Sequence, residues 1–474
     1  MASKKDLVEA QAFSRRRLLT AFVSGAPGGR ELEPGKPLRA VVVGLALTGL
    51  LVVGSLVAGL LRPGLPQGWD HNSLVVTKDD GARYVALDGT LYPVLNTTSA
   101  RLLIDGPYRV LQVDDDRIAN SERGRAVGIP GAPDELPAPD RLVRTGWLSC
   151  LEPEGGVVTA LTRGEIQDSM QAVLTQDASS DEGSVPRALL VQVAGDLHLV
   201  VGGRRHLVPR AQSAAVLRAV GQDTVVPWTA DAAWLQLFPP GDDLDPVTIP
   251  GAGDDVPADV PAPPDTVVGS VVVVTDTERT YVVDEAGQLA PLSTFAEPLY
   301  RLGSGESVGP DLEVTAAQVR GMATAPRPVG GRDWPTTAPR SLPDGEVACA
   351  YLETAPDDAA AEPVVTLVPH PEIEVAPGSR TVLVQPAAGA LVRSVASAGV
   401  SGPVVLIDQA GTAFAVPGAD AGVLERLGYA SQDVTTVPAP WVSLFAPGPE
   451  LTVEAAAGPP GATGDAAPEA GAGG

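Results

Sequence analysis

The sequence predicts a membrane-anchored α+β protein that is mostly β. One transmembrane helix is followed by an ectodomain of four small β-hairpin/helix repeats around a central β-rich domain. Three observations carry this reading. Residues 40–61 hold 22 consecutive residues without a charge. Beyond them a hairpin pattern ending in proline returns four times. Long matches at constant offsets then point to a tandem duplication with pseudo-two-fold symmetry.

The apolar stretch AVVVGLALTGLLVVGSLVAGLL reaches roughly 33 Å as a helix, enough to cross a hydrocarbon core of about 30 Å. It is apolar all round, as a span is and a soluble helix need not be. A cleaved signal peptide would have a shorter apolar region near the start, followed by a small-x-small site. Here the stretch begins at residue 40 and runs into Leu61-Arg62-Pro63, so it reads as a permanent anchor. Of 33 basic and 58 acidic residues, eight basic and four acidic precede the span, leaving 25 and 54 after it. Basic flanks stay in the cytoplasm, so Arg15, Arg16, Arg17, Lys36 and Arg39 set the N-terminus inside and export the rest. Residues 1–39 then form a cytoplasmic basic segment. Within it 4–23 suit a short basic amphipathic helix for the inner leaflet or a cytoplasmic partner, or else a disordered tail that only sets orientation. Small residues four apart in the span (Gly44/Thr48, Gly54/Ala58, Ser55/Gly59) would let another helix approach.

The net charge of −25 argues against nucleic acid as a partner, because phosphate binding needs a basic face. Scarce aromatics and plentiful Val, Ala, Pro and Gly favour short strands and turns. The first hairpin is Tyr84 to Pro93, turning at Asp88-Gly89. The pattern returns at Leu197 to Pro209, Tyr281 to Pro291 and Val404 to Pro417. In the second and fourth copies Leu217, Gly221, Trp234, Leu237, Phe238, Gly241 and Leu244 match Leu424, Gly428, Trp441, Leu444, Phe445, Gly448 and Leu451, all 207 residues later. Gly89, Leu91 and Pro93 return as Gly287, Leu289 and Pro291, displaced by 198. Units of this size pack on neighbours or a shared centre. The expected order is linker and repeat 1 (62–120), central domain (121–196), repeat 2 (197–245), a Pro/Asp-rich connector (246–265), repeat 3 (266–325), central domain again (326–400), repeat 4 (401–452) and a disordered tail (453–474). Strand-like runs at 188–193, 364–368 and 381–384 are assigned to the centre.

Cys150 and Cys349 are the only cysteines and lie 199 apart, near the duplication offset. Outside the membrane an even pair is most simply a disulfide, here across the pseudo-two-fold. Two free buried thiols are the alternative.

Chemistry is hard to find. Gly35-Lys36-Pro37 lacks the upstream glycine and the magnesium-binding hydroxyl of a P-loop. Gly305-Glu306-Ser307-Val308-Gly309 matches G-x-S-x-G, but sits in a polar loop rather than between strand and helix. His198 and His206 lie on opposite arms of one hairpin and read as exposed strand residues before a metal pair. Asp114-Asp115-Asp116 lacks calcium-loop spacing. Asn96-Thr97-Thr98 is a glycosylation sequon by pattern. No catalytic, cofactor or metal residue is expected.

The order of features resembles the EccB family of type VII (ESX) secretion systems in actinobacteria. The resemblance rests on Phe13-Ser14-Arg15-Arg16-Arg17-Leu18, the single span, the stretch Leu91 to Asn96 with Ser99-Ala100-Arg101-Leu102, and Val127-Gly128-Ile129-Pro130-Gly131-Ala132-Pro133. It implies a scaffold with four repeats around a central domain closed by a disulfide. The implied partners are an EccC-type motor ATPase, EccD, EccE, the mycosin protease, membrane lipid and further copies of the chain. Some family members are called ATPases. No phosphate loop supports that here, and ATP is absent where the bulk of the chain would lie. An ATPase or envelope hydrolase, and an anchored module gripping cell-wall glycan, are the competing readings.

Overall fold

The computed structural model describes residues 3–24, 37–60, 65–106, 109–163, 168, 172, 174–175, 185–342, 346–355, 361–370, 373–396 and 401–460. It divides into two units, Met1–Pro66 and Gln67–Gly474. The first holds helices Lys4–Ser24 and Pro37–Leu60. Asp6 accepts from the Ser3 N–H at the start of the first, at 3.0 Å. Pro37 opens the second, where a missing N–H costs nothing. Leu38–Val57 is long and apolar enough to cross a membrane, and none of it is buried. Its hydroxyls bond within the helix, Thr48 to the Gly44 carbonyl and Ser55 to that of Val52, as a lipid environment requires. Arg15, Arg16, Arg17 and Arg39 are exposed on these helices. Lys36 and the linker before Pro37 lie outside the described residues.

Among the described residues the second unit forms five sheets. The first contains β1 (Ser73–Thr77), β2 (Arg83–Leu87), β3 (Thr90–Pro93) and β4 (Arg109–Val113). Next come β5 (Trp147–Leu151) and β6 (Val157–Leu161), the beginning of the central sheet. The second sheet has β7 (Arg187–Val193), β8 (Asp196–Val201), β9 (Arg204–Val208) and β10 (Trp228–Thr229). The third has β11 (Val271–Val274), β12 (Arg279–Val283), β13 (Leu289–Pro291) and β14 (Leu312–Val314). β15 (Arg340–Ser341) returns to β7. β16 (Val347–Glu353), β17 (Val364–His370) and β18 (Arg380–Val384) complete the central sheet. The last sheet has β19 (Ala390–Val395), β20 (Val404–Ile407), β21 (Thr412–Val416), β22 (Thr435–Pro438) and β23 (Ala446–Pro447).

The four outer sheets share one strand order, third-second-first-fourth: β3-β2-β1-β4, β9-β8-β7-β10, β13-β12-β11-β14 and β21-β20-β19-β22. In each, the first and fourth strands run parallel. Parallel neighbours need a crossover, and a seven-residue helix lies within each one: Thr97–Leu103, Ser213–Ala219, Ala296–Leu302 and Ala421–Leu427. Two-residue turns with positive φ, Asp88 (49°) with Gly89 (81°) and Gly202 (59°) with Gly203 (72°), join the second and third strands of the first two outer sheets and match the strand twist. In the other two, longer connections over 284–288 and 408–411 carry positive-φ Gly287 and Gly411.

The central order is β17-β16-β5-β6-β18. Hairpins β5–β6 and β16–β17 come from opposite halves of the chain, and their inner strands pair antiparallel with Cys349 opposite Cys150. The two cysteines are disulfide-bonded, with Cα atoms 3.9 Å apart.

Several expected boundaries are wrong. Residues 188–193, assigned to the centre, lie in β7 and pair along their length with β8 through an Ala194-Gly195 turn. Likewise 390–395 is β19 of the last sheet. Arg123 and Val127, also expected in the centre, bridge back to Leu91 of β3 and to Val94 just after it. The connector packs Val256, Val260 and Ala262 on the third sheet's core. The expected disordered tail begins with a helix, Val453–Ala457, capped by Thr452 and burying Ala456. Residues 461–474 lie outside the described residues.

Candidate functional site

The two stretches Leu91–Leu102 and Val127–Pro133 fold into one buried interlock. Asn96 caps helix 97–103, its Oδ1 accepting from the Ser99 N–H (2.9 Å) and hydroxyl (2.7 Å). Its Nδ2 donates to the Ile129 carbonyl at 2.7 Å, and the Ile129 N–H donates to Ser99 Oγ at 2.9 Å. The Thr98 hydroxyl donates to the Pro133 carbonyl. Asn96, Thr98 and Ser99 are all buried. Each polar atom is consumed by the fold, so the sequon offers no accessible amide.

This interlock also meets the far end of the chain. Leu102 and Ile129 share a core with Leu424, Leu427, Tyr429 and Leu451. The Tyr429 hydroxyl donates to the Pro137 carbonyl at 2.7 Å. Burial pushes its pKa well above the ordinary tyrosine range, with the Arg101 charge opposing and Asp433 adding to the shift. Arg144 pairs with the nearly buried Asp433 at 2.6 Å.

A second constellation covers one face of the central sheet. Trp234, Leu237 and Phe238 from one half, and Trp441, Leu444 and Phe445 from the other, share a core with Trp147 and Leu352. Trp234 Nε1 donates to the Ser149 carbonyl at 3.1 Å. Trp441 Nε1 has no acceptor among the described residues. The glycines that follow do matching work. Gly241 donates its N–H to the Arg205 carbonyl and Gly448 to that of Ala413, at 2.9 and 2.8 Å. A Cβ at Gly241 would stand 2.3 Å from the His206 ring, and one at Gly448 2.5 Å from the Phe414 ring. Pro93, Pro291 and the residues before Pro209 and Pro417 end the third strands.

The histidines, Ser307 and the acidic triplet fall elsewhere. His206 is fully buried rather than exposed, with Nδ1 2.7 Å from the Asp242 carbonyl. His198 pairs with Leu207, and His206 with Leu199. Alternation along a strand therefore puts the two imidazoles on opposite faces. Ser307 is exposed and donates to the Ser304 carbonyl at 3.0 Å, following a 3₁₀ turn rather than a buried strand. Asp114 pairs with Lys78 and Arg117. No group of three metal-ligating side chains occurs among the described residues.

A family model described as type VII secretion system ESX-1, transport TM domain B, named for EccB, matches residues 1–459. The chain belongs to the EccB family. The ESX-3 secretion system ATPase EccB3 of Mycobacterium tuberculosis H37Rv is 27% identical over 455 residues, covering 87% of this chain and 81% of that protein. EccB3 of Mycolicibacterium smegmatis is 27% identical over 454 residues, covering 87% and 82%. Among solved structures, the EccB3 dimer from the ESX-3 core complex superposes with a TM-score of 0.62 at 23% identity, over 82% of this chain and all of that one. A chain of the intact ESX-5 inner membrane complex gives 0.59 at 21%, over 96% and 95%. These likenesses show a shared EccB fold: a mostly β ectodomain with one candidate apolar helix near the N-terminus.

Proposed function

We propose that this protein is a scaffolding subunit of a type VII (ESX) secretion membrane complex. The observation that carries the reading is the EccB family match across residues 1–459. Helix 37–60 anchors it once in the membrane, the N-terminus lies in the cytoplasm, and the bulk stands on the outer side. Its partners are an EccC-type motor ATPase, EccD, EccE and the mycosin protease, together with a second copy of the chain. The solved relatives are described as an EccB3 dimer and as part of an inner membrane complex, which supports that assembly.

The ectodomain is read as a tandem duplication with pseudo-two-fold symmetry, each half contributing repeat, central hairpin and repeat. The common strand order, the opposed cysteines and the matched glycines support this. In that scheme the first module meets the fourth as the third meets the second. The interlock around Asn96 and the paired Trp-Leu-Phe clusters use their polar and aromatic groups to join modules, as a scaffold requires.

The names of the relatives favour a second reading, ATP hydrolysis. Full-length protein purified in detergent and assayed for ATP turnover separates the two. The scaffold reading predicts no turnover above a mock preparation. Turnover abolished by one point substitution in this chain would overturn it.

A further inference from the structure

Two pairs of modules meet through their crossover helices, with different chemistry in each. Helix 296–302 lies against helix 213–219, where Phe295 and Leu299 pack with Val216, Val220 and Leu244. The arginines on those helices bond within their own modules, Arg301 to Glu297 and Asp311, and Arg218 to Asp223. Helix 97–103 lies against helix 421–427, and here the arginines cross over. Arg101 donates to the Leu427 carbonyl at 2.8 Å, and Arg426 donates to the Leu102 carbonyl at 2.9 Å. Arg426 also pairs with Asp105 at 3.0 Å.

Both acceptors lie in the last turn of a helix, where carbonyls lack intrahelical partners and the dipole is negative. Each helix therefore supplies the guanidinium that closes the end of the other. Gly428 gives Arg101 its path: a Cβ there would lie 2.7 Å from the guanidinium nitrogen. Gly221, its match 207 residues earlier, has nothing within 4 Å. At the apolar pair no arginine crosses over among the described residues. Main-chain donors close both kinds of helix end in part: Gly221 and Gln222 bond the Arg218 and Leu217 carbonyls, as Gly428 and Tyr429 bond those of Glu425 and Leu424, so the crossing guanidiniums are what distinguishes the arginine pair.

We propose that Arg101 and Arg426 are the residues that select which module the first one takes as partner. The inference rests on the duplication described above. Duplicated modules carry related apolar helix faces, so the first could dock on the second, its neighbour in sequence, and the third on the fourth. Such a mispair presses Arg101 onto an otherwise apolar contact face whose own arginine, Arg218, pairs with Asp223 in its own module, so no reciprocal guanidinium reaches the Leu102 carbonyl. Discrimination against a wrong partner is achieved by that kind of unpaired charge.

The test uses the full chain in membranes, with the photo-crosslinking residue p-benzoylphenylalanine at Leu103 and mass spectrometric mapping of the product. With both arginines present, the cross-link falls on 421–429. In R101L/R426L, loss of the two charge-assisted bonds to carbonyls, each worth about tenfold or more, together with the Arg426–Asp105 pair, moves a measurable share onto 213–222. A double variant that melts cooperatively and still cross-links only to 421–429 overturns the proposal, as does a wild-type product on 213–222. If the double variant fails to accumulate, R426L alone is read the same way, with a shift to 213–222 supporting the proposal and none overturning it. Failure of the duplication itself shows separately, as experimental coordinates in which residues 73–244 and 271–451 do not superpose.

Discussion

Cys150 and Cys349 occupy directly opposed positions on the paired strands β5 and β16 of the central sheet, both fully buried. Their bond closes a loop of 199 residues and constrains the unfolded chain accordingly. Cys150→Ser should destabilise the ectodomain by about 2–5 kcal/mol, measured as a lower denaturant midpoint. An unchanged midpoint with and without reductant would contradict this. Tyr429 makes a different prediction. Its hydroxyl is buried and its pKa raised, so the native state favours the neutral phenol while the unfolded chain ionises near pH 10. The stabilisation is complete below that pH and lost as pH rises toward the folded value. Tyr429→Phe should lower stability at pH 7 through the lost bond to Pro137 and flatten the decline above about pH 10. An identical alkaline slope in both proteins would refute the assignment. The cysteine pair was legible in the sequence because only two cysteines occur at nearly the repeat offset. The burial of His206 was not, because it depends on close approach of Gly241, 35 residues on, where a Cβ would meet the ring at 2.3 Å.

Among the elements, hairpins were the most readable. A glycine turn between apolar runs, ended by proline, specifies its pairing locally. The first strand of each outer sheet was harder: β7 and β19 look like any apolar run until their hairpin partners are known. Two-residue strands such as β10, β15 and β23 have no sequence signature at all, since tertiary neighbours alone define them. The apolar helix was legible from length and composition. Its orientation depends on the charges before it, and neutralising Arg15, Arg16, Arg17, Lys36 and Arg39 together should give mixed topology. A reporter fused after residue 460 should then divide between the two sides of the membrane. A reporter exported in every molecule would refute the charge argument.

At the scale of the whole molecule, contacts join residues more than 300 positions apart, such as Arg101 with Leu427 and Arg426 with Asp105. Local pattern cannot show these, because they follow from how modules pack rather than from what each module is. The stretches Leu91–Leu102 and Val127–Pro133 mark the family in the sequence, while their bonding to each other is visible only in the fold. The central claim is the proposed role, an assembled ectodomain that holds other proteins in place. Affinity isolation of the full chain from native membranes in mild detergent tests that most directly. The account predicts recovery of a large complex containing a motor ATPase; recovery of this chain by itself, under conditions that keep other membrane complexes whole, would contradict it.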